Sequence, residues 1–296
     1  TELSINLAKE INGEIISADS IQVYRYMDIG SAKITEAEQL GIKHYLIDEL
    51  EPDETFHIVR FQELALSYMN EIYSKGKTPI IVGGTGFYIQ SILYNIDFDE
   101  SNVDDAYRLE LEQLAKEKGN AYLHQKLFKV DEEAAKKIHE NNVKKVIRAL
   151  EFYKQTGLKI SEHNQEQSEK ESPYKFVYLV LNDKREDIYA RIDKRVDQMI
   201  ENGLIDEVKG LLEKGYTRDL VSMQGLGYKE IAAYIDGEIS LEEAIYILKR
   251  DTRHFAKRQL TWFKKEKDVI WINRWEYEND ESILESIITK IKERIG

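Results

Sequence analysis

The chain has 296 residues, 42% apolar and 33% charged, which is enough for one large or two ordinary domains with a substantial core and excludes a disordered polyanion. A net charge of −13 argues, as a sum, against nucleic acid, and the absence of cysteine excludes disulfides, thiolate catalysis and Cys-ligated zinc. No apolar run approaches the roughly 18 residues of a membrane helix and no secretory signal opens the chain, so a cytoplasmic protein is expected.

A helix opens at Thr1 and runs into a short strand at 14–18, which ends on Asp19-Ser20-Ile21-Gln22. A phosphate-binding P-loop reads strand, G-x-x-x-x-G-K-[ST], helix. Thr1 stands where the final Ser or Thr of that motif would stand, so a strand and Gly-rich loop are expected before it in the natural protein. Further strands are predicted at 45–47 and at 79–82, the latter ending in Gly83-Gly84-Thr85-Gly86. Apolar runs without alternation fit strands buried on both faces of a parallel sheet. Such a sheet places Asp19 and Thr85 on one rim, where strand ends and helix N-termini bind phosphates.

Between 82 and 176 no strand is evident. Helices are predicted at 106–118, 121–130, 131–139 and 143–156, separated by Gly119-Asn120 and Asn141-Asn142. The expectation is an α/β core, 1–97 and 171–296, with an inserted helical domain at 98–170 whose polar stretch 161–172 is the exit linker. Two more strands, 176–181 and 269–272, and a long helix at about 240–263 complete the core.

Asp19, just past a buried strand, can serve as general base, magnesium ligand or helix cap. Ser20 and Gln22 beside it could read a nucleobase edge. The 83–86 glycines suit either a binding loop or a tight turn. Arg191 and Arg195 share a helix face at i, i+4, which suits a diphosphate, though Asp187, Asp193 and Asp197 could equally pair with them. Charge is unevenly spread. Between 249 and 265 seven basic residues face only Asp251, and between 136 and 148 five face only Glu140. These segments read either as a localised anion-binding face or as solvated helix surface. The six histidines show no metal-ligand spacing.

Several segments resemble one family over nearly the whole chain and in the family's order: GEIISADSIQVY (13–24), MDIGSAK (27–33), HYLID (44–48), IVGGTGFY (81–88), GLGYKE (225–230) and AKRQLTWF (256–263). The family is the bacterial tRNA dimethylallyltransferases, or isopentenyltransferases. Ser31 and Tyr45 replace a Thr and a His of its pattern. The resemblance implies a P-loop kinase-like core with a helical insertion that binds the anticodon stem-loop. It implies transfer of a dimethylallyl group from dimethylallyl diphosphate to N6 of the adenine 3′ of the anticodon, with Mg2+; a monomer without a membrane partner is expected. It makes Asp19 the general base. Thr1 becomes the P-loop hydroxyl at the diphosphate and magnesium, and Arg195 the arginine on the diphosphate. Thr85 and Asp19, Ser20, Ile21 and Gln22 then line the target nucleotide. Arg108, Lys144, Lys145, Arg148 and the 217–224 segment with Gln224 would contact RNA, and Arg253, Lys257 and Arg258 of the basic helix would face it. The rival readings are a P-loop kinase of a small metabolite, a transferase acting on free adenine nucleotides, and a non-catalytic RNA-binding module.

Overall fold

The computed structural model of the protein describes residues 1–98 and 105–295. The chain forms two compact units, Thr1–Leu93 with Tyr174–Gly296, and Tyr94–Pro173.

The first unit begins with α1 (Glu2–Glu10), which buries Leu3, Ile5, Leu7 and Ala8. Asn12 adopts a positive φ of 51°, and the chain reverses there into β1 (Gly13–Ser17). All five residues of β1 are buried, as befits a central parallel strand. Next come β2 (His44–Tyr45), α2 (Ile58–Ser74), β3 (Thr78–Val82) and α3 (Gly86–Leu93). Helix α2 starts on His57, whose ring accepts the Arg60 N–H, and buries Phe61, Ala65, Met69 and Ile72 at helical spacing.

The second unit holds α4 (Asp105–Lys118), α5 (Asn120–Val130), α6 (Glu132–Lys137), α7 (Val143–Thr156) and α8 (Ile160–Glu169). Its core joins Leu111, Leu123, Leu127, Ala134, Val146, Ile147 and Leu150. Buried Asp131 accepts the Ala134 N–H at 2.9 Å, capping α6, and its other oxygen accepts the Ser161 N–H at 2.9 Å. That second bond corrects the expectation that 161–172 is a linker. The stretch is rich in Glu and Gln, good helix formers, and its first turn is held by Asp131 while His163 packs on Phe152 at 5.0 Å.

The chain then adds β4 (Tyr178–Asn182), α9 (Arg185–Glu201), α10 (Leu204–Glu213), α11 (Tyr228–Ile235), α12 (Leu241–Phe263), β5 (Val269–Asn273) and α13 (Asp280–Ile295) to the first unit. All strand pairs are parallel. They form two ladders, β2-β1-β3 and β4-β5, where one sheet was expected. Side-chain packing joins the ladders: Ile80 of β3 and Leu179 and Ile270 of β4 and β5 meet one cluster built on Leu3, Leu7, Ile272, Ile283 and Ile287.

The N-terminal end of β1 carries an ion-pair network. Buried Glu14 accepts from Lys77 at 2.7 Å and from the Tyr45 hydroxyl at 2.7 Å, and the same hydroxyl reaches Glu71 at 3.0 Å. Lys75 bridges both carboxylates. This network is on the opposite rim from Asp19 and holds β1, β2 and α2 together.

Candidate active site

Parallel pairing brings the C-terminal ends of β1 and β3 side by side, with Ser17 opposite Val82. The chain continues in register, because the Ala18 N–H donates to the Val82 carbonyl at 2.8 Å and the Thr85 N–H to the Ala18 carbonyl at 3.2 Å. Asp19 and Thr85 therefore share one rim. Gly83 is obligatory there, since a Cβ would lie 2.2 Å from the Ala18 oxygen.

The Asp19 carboxylate is half-buried and aimed by backbone. Its Oδ1 accepts the Ile21 N–H at 2.8 Å and the Gln22 N–H at 3.2 Å. Burial pushes its pKa above the ordinary value of 3.8, against the pull of those two donors. Oδ2 has no partner among the described residues, and neither do the Ser20 and Thr85 hydroxyls, so three polar groups face the rim unspent. The Tyr88 phenol stands close enough to Asp19 for the carboxylate to help burial raise its pKa.

Gln22 makes internal hydrogen bonds from both ends of its amide. Its Oε1 accepts the Ser17 hydroxyl at 3.2 Å and its Nε2 donates to the Ser31 carbonyl at 3.3 Å. The amide is an internal brace between the 19–22 turn and the 27–33 loop. Ile21 lies beside Gly225, where an added Cβ would meet its Cδ1 at 3.2 Å.

The 27–33 loop is fastened by a residue that sequence reasoning missed. Glu207, in the first turn of α10, accepts three consecutive backbone N–H groups, from Asp28 at 2.9 Å, Ile29 at 2.7 Å and Gly30 at 3.1 Å. The Tyr228 hydroxyl donates to it at 2.8 Å. Gly30 abuts the Tyr228 ring, which a Cβ there would overlap at 2.6 Å. In sequence, Glu207 looks like an ordinary acid at a helix start. Its three amide partners lie more than 170 residues away, and no local signal marks it. Lys33 adds a second clamp, donating to the Tyr24 carbonyl and to Asp28 and Asp48.

Thr1 is the N-cap of α1, at the end of the helix away from the Asn12 reversal into β1; the nine helical residues span about 13.5 Å at 1.5 Å each. The Arg195 guanidinium is close enough to the Thr1 backbone nitrogen for its charge to act there, which places Arg195 near that end of α1. Arg195 is exposed and has no ion pair among the described residues. Arg191, one turn earlier, donates to Asp183 at 2.6 Å. Two of the three aspartates that seemed able to neutralise this face are otherwise occupied, since Asp193 holds Arg253 at 2.6 Å and Asp197 holds Lys249 at 2.6 Å, while Asp187 pairs with neither arginine. No group of three or more His, Cys, Asp or Glu among the described residues could cage a metal.

Of the expected RNA-facing residues, Arg253 is thus tied to α9, whereas Lys257 and Arg258 are exposed without ion pairs among the described residues. Lys144, Lys145 and Arg148 occupy the exposed face of α7, whose opposite face buries Val146, Ile147, Ala149 and Leu150. Arg108 grips buried Glu151 with two nitrogens, at 2.8 and 3.0 Å. Gln224 donates to the Arg218 carbonyl.

A model of IPP transferase matches residues 22–266. The chain belongs to the IPP transferase family. It is 60% identical to the tRNA dimethylallyltransferase of Lachnoclostridium phytofermentans over 99% of the chain and 94% of that protein. It is 57% identical to that of Acetivibrio thermocellus, over 97% and 92%. The crystal structure of the full-length tRNA isopentenylpyrophosphate transferase of Bacillus halodurans is similar at a TM-score of 0.73 and 44% identity, covering 99% of this chain and 93% of that one. A eukaryotic dimethylallyltransferase captured acting on tRNA is similar at a TM-score of 0.84 and 30% identity, covering 99% and 76%. The IPP transferase family's P-loop kinase-like fold accounts for the parallel strands whose C-terminal ends carry Asp19 and Thr85.

Proposed function

We propose that the protein transfers a dimethylallyl group from dimethylallyl diphosphate to N6 of the adenine 3′ of the anticodon in tRNA. The observation that carries this reading is the Asp19 carboxylate, half-buried on the sheet rim, with one oxygen fixed by backbone and one unspent. An exocyclic adenine amine is a weak nucleophile because its lone pair is delocalised into the ring. As the N6–C1 bond forms, the C1–O bond breaks and diphosphate leaves with the electron pair. Asp19 Oδ2 accepts the N6 proton, a contribution of about 10²–10⁴-fold. Burial raises the basicity of Asp19, which suits the task.

Arg195 and Thr1 serve the diphosphate, whose growing charge calls for an unpaired cation. Thr85 and Ser20 supply hydroxyls to the target nucleotide. The base reaches Asp19 only after leaving the loop stack. The described residues do not fit a protein-caged Mg2+. The donor they offer is the Thr1 hydroxyl, so Mg2+ would arrive held by diphosphate oxygens and water, its usual preference. The helical unit, through Lys144, Lys145 and Arg148, and α12, through Lys257 and Arg258, contribute cations to the anticodon stem-loop. The enzyme acts as a monomer in the cytoplasm, where its tRNA substrate resides.

The deciding experiment incubates the full-length protein with tRNA and labelled dimethylallyl diphosphate, with and without Mg2+. Label in N6-isopentenyladenosine is the expected result. RNA binding without transfer would favour a non-catalytic module. A thermal shift with ATP but none with dimethylallyl diphosphate would favour a kinase.

A further inference from the structure

One phenol beside Asp19 has no partner among the described residues. Tyr24, Tyr45 and Tyr228 are buried in the same unit, and each spends its hydroxyl inside the protein: on the Glu54 carbonyl at 3.3 Å, on Glu14 at 2.7 Å and on Glu207 at 2.8 Å. Tyr88 is 7% exposed, yet its hydroxyl makes no hydrogen bond among the described residues. Its oxygen is not sealed from solvent either. Phenylalanine would serve the packing as well, so the hydroxyl is left for a group outside the chain.

The ring is fixed in place. Tyr88 lies in the first turn of α3, where its N–H donates to the Thr85 carbonyl at 2.9 Å. Thr85 is bonded in turn to Ala18, the residue before Asp19. One face of the ring stacks on Phe61 of α2, with centroids 4.2 Å apart and planes 17° from parallel. Phe56 meets the ring edge-on at 5.8 Å and packs in the same way on Tyr24, at the end of the turn that carries Asp19. The phenol is thus wedged between α2 and that turn. The Asp19 charge acts on it although no hydrogen bond joins the two. Burial, helped by that charge, pushes the phenol above its ordinary range, so it stays protonated and can donate.

The rim therefore offers a fixed acceptor, Asp19 Oδ2, beside a fixed donor, the Tyr88 hydroxyl. The Watson–Crick edge of adenine is the complement of that pair, with the N6 amine as donor and ring N1 as acceptor. We propose that the Tyr88 phenol donates a hydrogen bond to N1 of the target adenine while Asp19 accepts from N6, so that the two side chains together read adenine and orient its amine. The assignment rests on the transfer function proposed above. Guanine would set its O6 acceptor against the carboxylate and its N1–H against the phenol's proton, leaving both protein groups unsatisfied. An extruded base is read on this edge because leaving the stack frees it. Two contacts in the plane of the base also stop it from turning, so the N6 proton stays directed at Oδ2.

The test uses the full protein and anticodon stem-loop RNAs whose target is adenosine, 1-deazaadenosine or 7-deazaadenosine. Tyr88→Phe keeps the ring and its stacking and removes only the hydroxyl. It should lower kcat/KM on the adenosine RNA by about 5- to 10-fold, the worth of one hydrogen bond. On 1-deazaadenosine RNA it should change nothing, because the intrinsic reactivity of that base is the same for both proteins and the N1 contact is already gone. On 7-deazaadenosine RNA it should cost as much as on adenosine. Dimethylallyl diphosphate affinity should be the same in both proteins. A second arm alters only the RNA, so it holds even if Tyr88→Phe misfolds. With the parent protein and no donor, 1-deazaadenosine RNA should bind about 5- to 10-fold more weakly than adenosine RNA, and 7-deazaadenosine RNA should bind normally. Equal losses for Tyr88→Phe on adenosine and 1-deazaadenosine, or normal binding of the 1-deaza RNA, would overturn the contact and leave the transferase intact. A Tyr88→Phe effect abolished by 7-deazaadenosine instead would move the contact to the other edge and overturn the assignment to N1. Loss of donor affinity in Tyr88→Phe would give the phenol to the prenyl donor and overturn it too. Parent protein that neither binds nor prenylates adenosine RNA would overturn both the contact and the transfer function.

Discussion

Glu207 accepts the Ile29 N–H at 2.7 Å, and through that bond a residue of α10 sets the position of a loop that is braced in turn to Gln22 and Asp19. Three successive amides and one phenol converge on a single carboxylate. Charge-assisted bonds of this kind are roughly twice as strong as neutral ones.

Glu207→Ala leaves three loop amides without their acceptor and should cost about 2 kcal/mol or more of stability. Its specific signature is kinetic. Single-turnover prenyl transfer should fall at least about tenfold while RNA affinity changes little, because the Asp19 turn loses its brace. Glu207→Gln should lie between the two, since an amide oxygen still accepts. Chemical denaturation and quench-flow read the two effects, and normal transfer by Glu207→Ala would reduce the residue to a structural pin.

Asp19→Asn should abolish transfer, by about 10²-fold at the least, with RNA affinity largely retained. The same change should stabilise the protein at neutral pH. A carboxyl whose folded pKa is raised above its unfolded value of 3.8 destabilises the fold when ionised. The stabilisation should therefore be full above the folded pKa and vanish as the pH falls below 3.8. In the parent enzyme, the acid limb of the pH–rate profile should lie above the ordinary carboxylate range. A melting series from pH 3 to 8 tests the sign.

The Glu14 network predicts the opposite trend. Paired lysines hold the carboxyls of Glu14 and Glu71 at about 2, well below the ordinary 4.5. Depressed carboxyls contribute stability above 4.5, and it is lost as the pH falls toward about 2. Glu14→Gln should lower Tm at pH 7 and shrink the acid-side loss of stability, the two curves converging near pH 2. Activity of the folded variant should be normal, because the network is on the far rim of the sheet.

Arg195→Ala should weaken dimethylallyl diphosphate binding more than RNA binding, whereas Arg191→Ala should chiefly release Asp183 and cost stability. Calorimetry on both variants separates an unpaired cation from a paired one. Equal donor affinity in the parent and Arg195→Ala would remove Arg195 from the diphosphate site.

Binding of tRNA should depend steeply on salt despite the net charge of −13. About four to six phosphate contacts at roughly 0.7–0.9 each give a slope of log affinity against log salt near −3 to −5. Replacing Lys257 and Arg258 with Gln should flatten it by about one to two units. Arg253→Gln should leave the slope unchanged and lower Tm, because its charge is already spent on Asp193.

The sequence by itself determined the elements whose signals are local. Short aliphatic runs marked β1, β3, β4 and β5, because strands buried on both faces need little else, and Gly83 marked a strand end that no side chain could enter. The motifs at 13–24, 81–88 and 256–263 pointed to the IPP transferase family before any tertiary contact was drawn, because they are contiguous runs read directly from the chain. Contacts between distant segments were decided by the tertiary structure alone. Helix α8 was hidden in a polar stretch because its anchor, Asp131, lies 30 residues upstream. The bracing of the Gln22 amide against Ser17 and Ser31 had no mark in the sequence, because Ser31 comes beside it only through the fold of the 27–33 loop. Arg191 and Arg195 were equivalent in sequence, as were Arg253 and Arg258, and only the placement of Asp183 and Asp193 made one of each pair neutral and left the other charged. Charge is a property of residue type, but its availability to a ligand depends on which opposite charge the fold brings within reach.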